Sequence, residues 1–370
     1  MASANNVNWL ATGSDDYNLA LIQYKGNFAD AWRNQPRLYN SPYPLIDRKG
    51  AVKGMKAYQF LQFAQIPNPE IYNPGEEPTG QDYEVEQGTI TVDKPIQAAQ
   101  FVRRDSIAVG HFDVFGKLGI AHAREIGMAL DRRLFNTASL ASRASQLLGT
   151  DTGLLVHNGG NRVTRSGGSS TVATAITNAY PASPIGAQNL RTDLRLLARY
   201  MDEDAIPEDG RYLYLHTRMR EVLTFDGAYV WGTPSNTTGN NTSTLFSSDY
   251  QSGENNQNRR IITELEGFKV LGFVNPQSGQ GSMPDQNVTS GPTKFQGNFS
   301  PSTSTGTPIA MAFCMAPDGG AAVSMGTWDQ VMPVIYYDEK LMGWWVKSYL
   351  HTGIGQMYPY CAGAVEILST

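Results

Sequence analysis

The period of the apolar residues changes once, and sharply, between Glu84 and Ala141. Before Arg103 it is two, with Ile90 and Val92 alternating against Thr89 and Thr91 as in a half-buried strand. From Asp113 it is three to four. Phe115, Leu118, His122, Ile126, Leu130 and Leu134 form one stripe, and Lys117, Arg124, Asp131 and Arg132 fall largely elsewhere. The switch predicts an extended arm running into one amphipathic helix that ends near Ala138, about seven turns or ~40 Å long. Gly116, Gly119 and Gly127 lie inside that helix, each costing roughly 1 kcal/mol of propensity. With Ala121, Ala123 and Ala129 they predict that a second backbone approaches closely.

The arm has a recognisable shape. Residues 53–66 read as a strand whose alternation slips between Phe60 and Leu61. Residues 67–83 follow, with Pro67, Pro69, Pro74 and Pro78, which exclude a helix or a central strand. Residues 84–103 return as a strand. This is a long hairpin with a stiff polar tip, and such a hairpin cannot bury both its own faces. It requires a partner surface.

Elsewhere the pattern is mixed. Residues 1–50 carry scattered aromatics (Trp9, Tyr17, Tyr24, Phe28, Trp32, Tyr39, Tyr43), a short helix around Leu19, Ile22 and Phe28, and an extended, proline-containing stretch to Leu45. The aromatics suit either an arm on a neighbouring subunit or a lid over the chain's own core. Residues 154–165 suggest a hairpin about Asn158–Asn161, and 166–171 a flexible link. A second helix is predicted over 187–203, then a buried strand (211–217), a short helix, and strands at 264–275 and 308–315. Residues 232–258 and 277–307 are polar loop insertions. From Val331 the chain alternates through two strands turning at Asp338–Lys340 and a third that closes it, with one of Trp344 and Trp345 facing the core and the other a neighbour.

Composition narrows the function. Only 17% of residues are charged, against roughly 25% in soluble chains, which suits a surface buried against neighbours. The net charge of −5 gives no basic balance for gripping phosphates, so nucleic acid would be enclosed, not clamped. Cys314 and Cys361 make no disulfide framework and point to assembly in a reducing cytosol. No signal peptide or apolar run of ~20 residues is visible, so no membrane partner is expected. There is no P-loop, nucleophile elbow, HExxH or CxxC. His111 and His122 share helical spacing but lack a third ligand, and His122 reads as a packing residue. No enzyme activity and no cofactor or metal is expected.

Several stretches, in this order, resemble the major capsid proteins of tailed, short-tailed (podovirus-type) bacteriophages: TITVD, DVFGKLGIAHAREIGMALDRRLFN, IPEDGRYLYLHTRMREVL, LEGFKVLGFVN and GIGQMYPYCAGAVEI. The resemblance covers about residues 50–370. It implies an α+β, Hong Kong 97-like capsid fold: an N-terminal arm (1–50), an extended E-loop hairpin (51–104), a peripheral domain with a spine helix (105–204), an axial domain with the polar insertions (205–330) and return strands of the peripheral domain (331–370). It implies a structural subunit forming hexamers and pentamers of an icosahedral virion shell, built in the host bacterial cytoplasm and enclosing double-stranded DNA without sequence-specific binding. Portal and scaffolding proteins, and a decoration protein, are the implied partners. An encapsulin-like nanocompartment shares the fold, and a secreted β-rich binding protein is the alternative from another class. Some family members weld their shells by a Lys–Asn bond at the E-loop. The tip here, 67–83, contains no lysine, so non-covalent contacts are expected.

The tip then supplies candidate assembly residues. Ile71 and Tyr72 are the expected apolar anchors. Glu70, Glu76 and Glu77 are expected to meet Arg103, Arg104, Arg132 and Arg133 of an adjacent copy. Tyr72→Ala is expected to leave the circular dichroism of the subunit unchanged while reducing shell yield and heat resistance; normal shells from this variant would remove Tyr72 as an anchor.

Overall fold

The computed structural model describes residues 15–34, 38–50, 57–63, 74–75, 85–92, 95–103, 114–144, 160–169, 171–223, 264–274, 306–316, 320–328 and 332–368. The period switch is there as predicted. Strands β1 (Asp47–Gly50), β2 (Ala57–Phe63), β3 (Val85–Thr91) and β4 (Ile96–Arg103) precede the long helix α2 (Val114–Ser142). The stripe predicted for α2 is its inner face: Phe115, His122, Ile126, Leu130 and Leu134 are buried, and Leu118 half-buried.

The helix runs one turn past the predicted end. Its last turns are polar in sequence but buried, through Asn136, Thr137, Ser139 and Ser142. Two of the hydroxyls turn back on the helix: Thr137 donates to the Arg133 carbonyl (2.9 Å) and Ser142 to that of Ser139 (2.8 Å). Such bonds let a serine or threonine enter the interior without a lost partner, and they hide the apolar period from view.

Helix α1 (Asp15–Asn34) is twenty residues long, not the short helix expected, and it lies on the chain's own α2. Of the two roles open for the N-terminal aromatics, the described ones take the lid. Tyr24 and Phe28 are buried, and Trp32 stacks on Phe28 with ring centroids 6.0 Å apart. The predicted close approach occurs at Gly119, where a Cβ would stand 2.7 Å from the Tyr24 carbonyl oxygen and 3.3 Å from the Phe28 nitrogen. The chain leaving α1 is held by buried Asp131, whose carboxylate accepts the Leu38 N–H at 3.2 Å.

The core sheet has six strands in the order β5 (Asn161–Ser166), β14 (Ala362–Leu368), β9 (Thr307–Phe313), β6 (Tyr212–His216), β8 (Phe268–Val274) and β7 (Glu264–Leu265). β9 is buried at every residue, because the sheet is covered on both sides. Phe135 of α2 packs edge-on against Tyr214 and Phe313 on one face. On the other, Leu197 and Met201 of α4 (Pro184–Glu203) press on Gly363 and Ala312; alternation along the strand puts the two sets on opposite sides. Two shorter helices, α3 (Val172–Ala179) and α5 (Thr217–Leu223), complete this unit. The predicted helix at 187–203, the strand at 211–217 and the short helix after it are all present.

β5 pairs in parallel with β14, from Gly363 opposite Asn161 to Leu368 opposite Ser166; the first strand of the hairpin predicted about Asn158–Asn161 lies outside the described residues. Two expectations for this half change. Residues 172–179, just past the segment read as flexible, are α3, whose Ala175 and Ile176 are buried. The end of the chain is two strands, β13 (Thr352–Gln356) and β14, separated by a 3-10 turn at Pro359–Cys361. That proline-set turn breaks what reads in sequence as one strand.

A second sheet joins chain regions far apart in sequence. β11 (Met332–Asp338) and β12 (Gly343–Leu350) form the predicted hairpin, and β4 pairs along the other side of β12, from Arg103 opposite Gly343 to Ile96 opposite Leu350. The Asp338 carboxylate accepts the Lys340 and Leu341 N–H groups in the turn. Trp344 is buried and Trp345 half-buried, as the alternation requires. A third sheet runs β1, β10 (Val323–Thr327), β13.

The α1–α2 approach generates a paired test. Gly119→Ala pushes Cβ into backbone that cannot rotate away and is expected to destabilise by about 1–3 kcal/mol in denaturant unfolding. Gly26 lies on α1 with nothing within 4 Å of a built Cβ, so Gly26→Ala is expected to stabilise by about 0.5–1 kcal/mol.

Candidate assembly surfaces

The projecting hairpin starts from a socket. β2 and β3 pair antiparallel, from Ala57 opposite Thr91 to Phe63 opposite Val85. Where β3 meets the body it crosses β13. A Cβ on Gly353 would stand 2.6 Å from the Thr91 carbonyl oxygen, and one on Gly355 2.7 Å from the Ile90 side chain. The two glycines, two apart and hence on one face of the strand, remove side chains so that Ile90 seats beside Met357. Sequence reasoning missed this socket, although its signal was present: alternate glycines in TGIGQ, with the apolar Ile354 between them.

The candidate residues fall differently on the structure. Glu70, Ile71, Tyr72, Glu76, Glu77 and Arg104 lie outside the described residues. Between the acidic positions, Pro74 and Gly75 form an exposed turn with Gly75 at φ +106°. Arg103 is exposed at the end of β4. Arg132 and Arg133 are half-buried on α2 and already interact within the subunit. Among the described candidate cations Arg103 is therefore the one most accessible to another copy.

A second surface was not foreseen. The β11–β12 hairpin exposes Val334, Tyr336, Leu341 and Met342, the last with a positive φ of 50° in the turn. Single exposed apolar side chains are ordinary, but four on one hairpin form a patch. Among the described residues β11 pairs with β12 and with no other strand. Lys347 lies 4.9 Å from the Tyr336 ring centroid and 5.1 Å from that of Trp345, holding the two rings apart on the hairpin face. Trp345 also donates its indole N–H to Asp338.

Behind these surfaces, ionic clamps fix the body. Fully buried Glu366, at the bulge of β14, accepts the Arg143 and Arg162 Nε–H groups, both at 2.7 Å. Arg143 also donates to the Gly306 carbonyl. Asp193 of α4 takes two bonds from Arg165 (2.6 and 2.7 Å) and one from the Tyr180 hydroxyl at 2.6 Å. Burial, reinforced by Asp193, holds the Tyr180 phenol well above its ordinary range. Burial pulls Glu266 upward too, but hydrogen bonds from Arg195 and Arg191 outweigh it and leave its carboxyl low. These are structural pairs, satisfied inside the subunit. Among the described residues no group of three His, Cys, Asp or Glu converges as a metal set.

One buried network ties three elements together. The Tyr24 hydroxyl of α1 bonds the His122 Nδ1 of α2 at 2.8 Å and the Ser348 hydroxyl of β12 at 2.5 Å. Burial raises Tyr24 to about 12, despite the Ser348 bond, and lowers His122. A second buried histidine, His216, is pushed to about 4 by burial and by nearby Arg218; its Nδ1 accepts the Arg218 N–H.

No protein-family model and no curated protein matches the chain. Solved structures do match, over most of the chain. A capsid structure of the cyanophage P-SCSP1u aligns with a TM-score of 0.63 at 17% identity, over 88% of this chain and 87% of that one. The mature capsid of bacteriophage PhiM1 aligns with a TM-score of 0.60 at 14% identity, over 87% and 85%. The capsid of a native GTA particle aligns with a TM-score of 0.51 at 9% identity, over 88% and 89%. The chain therefore has the α+β, Hong Kong 97-like fold of phage capsid structures.

The two histidines set a pH dependence. Burial disfavours protonation of both rings in the folded state, whereas in the unfolded chain each ring takes up a proton near pH 6.5. Stability is thus full above pH 6.5 and falls as the pH drops through 6.5 toward 4. The His216 contribution alone is about 3 kcal/mol. Urea unfolding across this range is expected to show the decline, and His216→Gln to flatten it; an unchanged slope in the variant would place the proton uptake elsewhere.

Proposed function

We propose that this chain is the major capsid protein of a tailed phage, a structural and non-catalytic subunit that assembles as hexamers and pentamers into an icosahedral shell around double-stranded DNA. The observation that carries the reading is the likeness to capsid subunits, which spans more than four-fifths of both partners in the cyanophage P-SCSP1u and PhiM1 structures. Two features of the chain support it. A two-stranded arm leaves the body from a built socket, and a hairpin exposes the apolar side chains of Val334, Tyr336, Leu341 and Met342. Each is a surface that a lone subunit does not need and a lattice of copies does.

In this reading α2 is the spine helix and the β2–β3 hairpin is the E-loop, lying across an adjacent subunit. Ile71 and Tyr72 anchor it there. Glu70, Glu76 and Glu77 face basic residues of that neighbour, with Arg103 the foremost candidate and Arg104, Arg132 and Arg133 the others. An exposed ion pair is worth under about 1 kcal/mol. A closed shell repeats each contact on every subunit, so that weak contacts act together. The net charge of −5 fits a wall around DNA, with a portal, a separate scaffolding protein and a decoration protein as further partners. Assembly takes place in the host cytoplasm and the product is the virion.

Negative-stain electron microscopy tests the reading, on the chain alone and co-expressed with its viral neighbours. Closed angular particles tens of nanometres across are expected, and extracted contents would separate a virion precursor from a cargo compartment. A discrete monomer of 40.5 kDa under every condition would contradict it.

A further inference from the structure

The two cysteines are separated by 47 positions in sequence but are neighbours across the sheet. In the β9–β14 ladder Phe313 stands opposite Ala362, and one step further along the same antiparallel register Cys314 stands opposite Cys361. The Cys314 N–H donates to the Cys361 carbonyl at 3.1 Å, so the register continues to this pair. The Cys314 thiol donates to that same backbone carbonyl, with Sγ 3.0 Å from the oxygen.

Residues directly opposite in an antiparallel pair project their side chains to the same face. At a hydrogen-bonded position their Cα atoms lie about 5.5 Å apart, within the range of ~4.4–6.8 Å that a disulfide bridges. The Cys361 N–H is turned away, to the Tyr358 carbonyl in the 3-10 turn. The ladder thus ends at this point, where the strand gives way to the 3-10 turn. Both residues are in the thiol form and buried.

We propose that Cys314 and Cys361 are a dithiol site that a low-molecular-weight disulfide converts into an intrachain cross-strand disulfide. One thiolate attacks the reagent R–S–S–R, forming a mixed disulfide and releasing R–SH. The second thiolate attacks the protein sulfur of that adduct, closing the S–S bond and releasing the second R–SH. The two cysteines are oxidised together, the reagent is reduced to two thiols, and no other reactant is required. In a reducing cytosol the site stays open; outside the cell it closes. Closure staples β14 to β9 and encloses the stretch that carries β10 to β13, hence both the exposed hairpin and the Gly353/Gly355 socket. This holds whether or not the chain builds a shell.

The test uses the full-length protein and oxidised glutathione, both on the native chain and during refolding from denaturant. After acid quenching, the chain is alkylated under denaturing conditions and mapped without reduction. The expected product is one intrachain link between the peptides containing Cys314 and Cys361. It lacks both alkylatable thiols, is reversed by dithiothreitol, and melts about 5 °C or more above the reduced chain. Cys314→Ala and Cys361→Ala, each without a partner thiol, are expected to show no such rise on oxidation. Two alkylated thiols in both regimes, stable glutathione adducts that do not resolve, or links between different chains would each overturn the proposal.

Discussion

The rest of the structure depends on one close approach, that of the α1 backbone to α2 at Gly119. Any side chain there would meet the Tyr24 carbonyl oxygen at 2.7 Å. Removing it lets Tyr24 reach over α2 to His122 and on to Ser348 of β12. The N-terminal helix, the long helix and the C-terminal hairpin thereby share one hydrogen-bond network. The network is buried, and a buried polar group without its partner costs about 1–3 kcal/mol. It therefore tolerates only one arrangement of the three elements. The other half of α2 repeats the principle with rings, Phe135 meeting Tyr214 and Phe313. One helix thus packs against both the six-stranded sheet and the β11–β12–β4 sheet.

Much of this was legible in the sequence because it rests on period. The stripe from Phe115 to Leu134, the alternation at Ile90 and Val92, and the β11–β12 hairpin are local patterns, and the structure keeps them. The glycines of α2 correctly foretold a close backbone but not whose it was. What was not legible is non-local. Nothing in the sequence near Asn161 says that β5 will lie parallel to β14 at the far end of the chain. Nothing local makes α1 a full helix, since its stability comes from Tyr24 and Phe28 sinking into α2 and β12. The turn at Pro359–Cys361 was read through because its flanks are equally apolar. As for the candidate site, the acidic and apolar tip residues were chosen from composition alone, whereas Arg103, Arg132 and Arg133 can be placed, and only Arg103 is exposed.

The architecture connects to the proposed shell through its rigidity. The arm β2–β3 is held at its root by the Gly353/Gly355 socket, and β3 leads into β4, which is paired along β12. Through β4 the arm is joined to the sheet whose hairpin exposes Val334, Tyr336, Leu341 and Met342. Contacts that are individually weak orient a neighbour only when the element bearing them is stiff.

Native-state hydrogen exchange on the full-length subunit tests this central claim most directly, because it reads which backbone segments open together. If the Gly119 approach and the Tyr24 network bind the elements as described, the amides of α1 around Tyr24 and Phe28 exchange in the same slow class as those of α2 from His122 to Ala141. Rapid exchange throughout α1, while α2 and the six-stranded sheet remain protected, would contradict it.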